Sequence, residues 1–151
     1  MKTCLYSLLF ILVSAQFSAQ AISHRANNFQ TGDNEGVILA KVNAIPEVKK
    51  YLHEHANISP SVIIARPPIP GFNYYLVKVG MGTDPKKFQA TYNFCVTPKT
   101  FQVLYLDIMT EDLDPKNAVI TLEQWRQFRS TIQFQKMHTY HNGKIVVMNG
   151  Q

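Results

Sequence analysis

The stretch FQATYNFCV (Phe88–Val96) decides the fold. Phe88, Ala90, Tyr92, Phe94 and Val96 alternate with Gln89, Thr91, Asn93 and Cys95. A period of two sends the first set to one face of a strand and the second to the other. One apolar and one polar face is the pattern of an antiparallel strand lying on a core. TPKT (97–100) follows, with proline at the second position of a turn. FQVLYLDIM (101–109) then returns as the hairpin partner.

Working back towards the N-terminus, NYYLVKV (73–79) and SVIIAR (61–66) read as two more strands. Between them, Pro67-Pro68-Ile69-Pro70-Gly71 cannot join a ladder, because its three prolines have no N–H to donate. This segment reads as an exposed, stiff loop. Further upstream Ile38, Val42, Ile45, Val48 and Leu52 recur at helical spacing, to about His55. Asp33 is a candidate N-cap, with Glu35 in the first turn. Pro46 interrupts the helix, since proline removes a hydrogen bond and clashes with the preceding turn. The outcome is a kink near Ala44 or a second helix with Pro46 at its first position.

Working forward, Glu111 to Lys116 reads as an acidic loop. Thr121-Leu122-Glu123-Gln124 is a capping box, in which Gln124 reaches back to the capping threonine. Leu122, Trp125, Phe128 and Ile132 give that helix its apolar face. Asn142-Gly143 is a strong two-residue hairpin signal between Met137–His141 and Lys144–Met148. The fold class is therefore α+β. A kinked N-terminal helix packs on an antiparallel sheet of about four strands, followed by a second helix and a C-terminal hairpin.

Residues 1–21 read as a secretory signal. Lys2 is its positive start, Leu5–Val13 its apolar run, and Ala19-Gln20-Ala21 its cleavage site. The run is shorter than the ~20 residues of a membrane-spanning helix. Cys4 precedes the run and no cysteine sits at the cleavage site, so no lipid anchor is expected. The expected organisation is a signal peptide (1–21), a polar arm (22–33) and one domain (34–151). The expected product is secreted or periplasmic, from a bacterial source, with no transmembrane segment once the signal is removed.

Of two cysteines, Cys4 leaves with the signal. Cys95 then has no partner for a disulfide, so packing must carry the stability. An apolar content of 46% is enough to build a core in a chain of this size. The formal net charge is +5, and its lysines and arginines come singly or in pairs. That distribution lacks the clustered basic face of a nucleic-acid binder.

Cys95 falls on the polar face of its strand, where it would be accessible. A nucleophilic cysteine also needs a base and an electropositive setting, and nothing in the sequence places a histidine beside it. His53, His55, His138 and His141 do not make a zinc pattern. His138 and His141 suit one face of a helix, but a strand is expected there, and in a strand they point opposite ways. They read as surface histidines. Glu111, Asp112 and Asp114 lack the central glycine and closing glutamate of a calcium loop. Asn57-Ile58-Ser59 matches a glycosylation sequon, with Pro60 directly after it. No catalytic residue, metal site or cofactor is expected. The candidate binding residues are Pro68, Ile69, Pro70, Gly71, Phe72 and Tyr74, because a rigid exposed loop loses little entropy on binding.

At this loop the sequence resembles a known family. Gly71-Phe72-Asn73-Tyr74-Tyr75-Leu76-Val77-Lys78-Val79-Gly80 resembles the cystatin pattern, in which a first inhibitory loop ends in glycine and runs into an aromatic strand. Tyr92–Val96, Pro98–Thr100, Val103–Asp107 and Leu122–Arg126 are similar to segments of small secreted bacterial proteins with cystatin-like or PepSY-like domains. The likeness spans roughly residues 36–130. Of the family's Gln-x-Val-x-Gly only Gly71 is present, and its Pro-Trp second loop is not evident, since Trp125 falls on a predicted helix. The resemblance implies a cystatin-like architecture and an inhibitor-like binding role. The leading expectation is a non-enzymatic module that binds a protein partner. The alternatives are a small enzyme or ligand-binding domain with a pocket between helix and sheet, and an assembly protein using an exposed strand edge.

Overall fold

The computed structural model describes residues 31–84 and 86–148. The expected signal (1–21) and residues 22–30 of the expected arm lie outside the described residues. Helix α1 spans Thr31–Asn43, so it begins two residues ahead of Asp33. Helix α2 spans Pro46–Glu54 with the proline in its first turn, where its missing N–H costs nothing. The apolar stripe is thus carried by two helices. Ile45, in extended geometry, separates them.

The strands follow in chain order. They are β1 (Pro60–Arg66), β2 (Tyr75–Met81), β3 (Gln89–Val96), β4 (Val103–Leu106) and β5 (Val119–Thr121). They form one five-stranded antiparallel sheet in which each pairs with the next in sequence. The four expected strands are present, and β5 is an addition. Only three residues long, β5 is too short for any periodicity to announce it. A four-residue helix α3 (Ile108–Glu111) takes the place of the expected end of the fourth strand. Asp107 ends β4 there by accepting hydrogen bonds from the Met109 and Thr110 amides.

Helix α4 (Leu122–Phe128) starts with the expected capping box. Thr121 Oγ1 accepts from the Gln124 amide at 3.1 Å, and Gln124 Oε1 accepts from the Thr121 amide at 2.9 Å. The helix ends at Phe128, so Ile132 lies beyond it and is exposed rather than part of its apolar face. Strands β6 (His138–His141) and β7 (Lys144–Val147) form the expected hairpin around Asn142-Gly143.

The main core lies between the helices and one face of the sheet. Ile38, Val42, Val48 and Tyr51 pack against Val77, Val79, Phe94 and Val96. Trp125 continues this layer. It stacks on Tyr105 at 4.7 Å and meets Phe94 and Tyr92 edge-on. Glu47 of α2 clamps α4 to this layer. Its carboxylate accepts from Arg126 at 2.9 and 3.1 Å and pairs with Arg129 at 3.1 Å. The Arg126 hydrogen bond holds the Glu47 carboxyl below its usual range.

The opposite face of the sheet also carries apolar cover. Cys95, Leu106 and Ala118 are buried there, with Phe72, Tyr74, Leu76 and Leu104 around them. The expected alternation of burial is therefore not what β3 shows, since Gln89, Ala90 and Thr91 are all exposed. From Asn93 onward both faces are buried.

Candidate functional site

The 67–74 loop joins β1 to β2, and the 97–102 loop joins β3 to β4. Alternating strand direction puts both at the same end of the sheet. The first loop tightens into a turn at Ile69-Pro70-Gly71-Phe72. Ile69 and Phe72 exchange backbone hydrogen bonds at 3.0 and 2.9 Å. Proline followed by Gly71 at φ +85° is a type II turn, in which the third position needs a positive φ. Phe72 meets Tyr74 edge-on at 5.5 Å, and the Arg66 guanidinium lies 4.2 Å over the Phe72 ring.

The six predicted loop residues therefore divide into two groups. Ile69, Pro70 and Gly71 form an exposed tip, with Ile69 42% exposed. Pro68, Phe72 and Tyr74 are half-buried, and the two aromatic rings cover Cys95 and Leu76. The aromatics therefore act as the loop's foundation, and its contact surface is the tip. The neighbouring 97–102 loop is also internally braced. Thr97 Oγ1 accepts from the Gln102 amide at 2.9 Å and lies 2.6 Å from Thr100 Oγ1.

Cys95 is fully buried rather than accessible, because Phe72 and Tyr74 fold back over the face that the alternation marked as polar. Burial pushes its thiol up to about 12, which leaves negligible thiolate at neutral pH. A nucleophilic role is incompatible with that setting.

The histidines need a second correction. His53 and His141 are exposed as expected. His55 stacks on Tyr51 at 4.3 Å. His138, however, is completely buried. Its Nε2 lies 2.7 Å from Asp107 Oδ2, and its Nδ1 lies 2.6 Å from the Lys136 carbonyl. A carbonyl can only accept, so Nδ1 carries a hydrogen. Tyr140 donates to the same Asp107 oxygen at 2.6 Å. Burial, with Asp107 beside it, pushes the Tyr140 phenol well above its ordinary range. Thr110 Oγ1 donates to the His138 carbonyl at 3.0 Å.

Sequence reasoning missed this network. The available signal was that His138 and Tyr140, two apart on a strand, share a face, while Asp107 stands three residues before Thr110 as a cap would. The network is closed on itself, with Asp107, Thr110, His138 and Tyr140 bonded to one another. We read it as a latch that fastens the β6–β7 hairpin to the end of β4.

Glu111, Asp112 and Asp114 do not converge. Asp114 accepts from Asn117 at 2.6 Å, and Asp112 is exposed. Among the described residues no group of three or more His, Cys, Asp or Glu side chains gathers to hold a metal. Asn57 of the sequon is exposed on a single 3-10 turn, Ala56–Ile58. No described helix is long and apolar enough to cross a membrane. Comparison with protein-family models, with curated proteins and with solved structures finds no match to this chain.

Proposed function

We propose that this chain is an exported, non-enzymatic module that binds a protein partner through the Ile69-Pro70-Gly71 tip, with the 97–102 loop beside it. The observation that carries the reading is the construction of the tip. It is exposed and apolar, closed by two backbone hydrogen bonds, and braced from below by Phe72, Tyr74 and Arg66. Such a loop gives up little conformational freedom on docking, so more of its contact energy reaches affinity.

The cystatin-like part of the reading rests on the resemblance in residues 71–80 and on element order. Helices come first, then strand, loop and strand, with a second hairpin loop at the same end. The resemblance to PepSY-like domains belongs to the same proposal, as do secretion or periplasmic residence. Inhibition of a protease is the specific activity the resemblance implies.

The test compares the wild-type protein with an Ile69→Ser/Pro70→Ser variant as baits in affinity capture from the native envelope and medium. Both changes lie at the exposed tip and leave the foundation aromatics alone. A protein recovered by the wild type and lost with the variant supports the assignment. Equal recovery by both baits removes the loop from the binding surface. Assay against a papain-type protease separates inhibition from plain binding.

A further inference from the structure

We propose that the groove between α2 and the middle of the sheet is a binding site for a small carboxylate carried on a flat ring, separate from the loop tip. The groove encloses about 500 Å³. That lies within the ~300–1,000 Å³ of small-molecule sites.

Its floor is built by a backbone irregularity. Thr91 and Tyr92 are neighbours in β3 and would ordinarily point to opposite faces, yet both line the groove. The register explains this. Val79 pairs with Tyr92 and Gly80 with Ala90, so Thr91 is the extra residue of a β-bulge. Bulges of this kind re-aim side chains and recur beside functional sites. Gly80 makes the bulge possible. A Cβ there would overlap the Gln89 carbonyl oxygen and come within 2.9 Å of the Ala90 Cα.

The walls supply flat apolar surface. Tyr92 meets Tyr51 edge-on at 5.7 Å, and His55 stacks on Tyr51 at an interplanar angle of 26°. Met81 completes this surface. A planar ring fits against such rings by offset or edge contacts.

The polar groups favour an anion. Glu47 lines the groove, but its charge is already engaged by Arg126 and Arg129. Arg126 lies outside the groove, but its bond to Glu47 leaves the clamp with two guanidiniums against one carboxylate, and Glu54, the other carboxylate of the lining, is paired with Lys50. Arg129 also lines the groove and has a side chain 39% exposed. Lys50 at the rim pairs with Glu54 only at 3.8 Å, with both side chains largely in solvent. A pair of that kind is readily exchanged for another partner. The Thr91 and Tyr92 hydroxyls add neutral donors.

The test titrates 4-hydroxybenzoate into the purified protein, with benzamidine and benzyl alcohol as cationic and neutral counterparts. Amide NMR signals of Thr91, Tyr92 and His55 report occupancy. Saturable shifts with 4-hydroxybenzoate are expected, and binding weakens about tenfold or more in Arg129→Gln. Because Arg129 also braces α4, Thr91→Val serves as a second variant that leaves the clamp intact, and it too weakens binding. Lys144→Gln on the hairpin leaves binding unchanged. Benzamidine binding as tightly as 4-hydroxybenzoate, absence of saturable shifts, or indifference to both groove variants would overturn the proposal.

Discussion

Gly80 sits where the sheet leaves no room for a Cβ. The bulge at Thr91 brings the β3 backbone so close that any side chain at residue 80 must push Gln89 and Ala90 aside. Overpacking of this kind costs about 1–3 kcal/mol. Gly80→Ala is expected to lower the urea midpoint accordingly. A midpoint within error of the wild type would mean that the bulge is not held as described. Gly71 differs, since a Cβ there meets open space and only its positive φ resists substitution. The two glycines thus serve for different physical reasons, close approach at one and turn conformation at the other.

Among the elements, the β6–β7 hairpin depends most on a few atoms. An isolated two-stranded hairpin is marginal in water. Here β6 is anchored through His138 and Tyr140 to Asp107, and Thr110 holds the His138 backbone. Removing one partner of such a buried polar pair typically costs about 3–5 kcal/mol. Asp107→Ala and His138→Ala should each destabilise on that scale, and the double variant should cost much less than the two together. Simple additivity in this cycle, read from urea unfolding, would show that the two side chains do not act as a unit.

The same elements show how much was legible beforehand. Thr121 and Gln124 announced their helix, Asn142-Gly143 their turn, and Phe88–Val96 their strand, because each signal is local. Proline chemistry likewise fixed 67–71 as a loop. What escaped was set by contacts distant in sequence. Phe72 and Tyr74 bury the supposedly polar face at Cys95, Asp107 draws His138 out of solvent, and a bulge turns Thr91 towards α2. None of these leaves a periodic trace. Of the candidate site, the rigidity of Pro70-Gly71 was readable, whereas the division into tip and foundation required the packing.

At the scale of the whole molecule, two buried groups give stability a dependence on pH on the alkaline side. Burial pushes both the Cys95 thiol and the Tyr105 phenol up to about 12, from ordinary values of 9.0 and 10.0. In the unfolded chain these groups release their protons at the ordinary values. The stability they contribute is therefore complete below pH 9 and is lost as pH rises towards 12. Unfolding followed by circular dichroism should show a midpoint that falls progressively across that window. Cys95→Ala should flatten its lower part, and an unchanged slope in that variant would exclude the thiol as a source. Glu47 acts in the opposite sense. Its lowered value makes the α2–α4 clamp a contribution that is lost as the solution is acidified through that value.

The plain up-and-down order of the sheet also sets a folding itinerary. Every strand pairs with its neighbour in the chain, so contact order within the sheet is low and each ladder closes only a short loop. The sheet can zip up hairpin by hairpin, with register fixed locally at each step. The long closure is the one from Glu47 to Arg126, 79 residues apart, which seats α4 against α2. The entropy of so long a closure leads us to expect that the clamp forms late. Weakening it should speed unfolding far more than it slows folding.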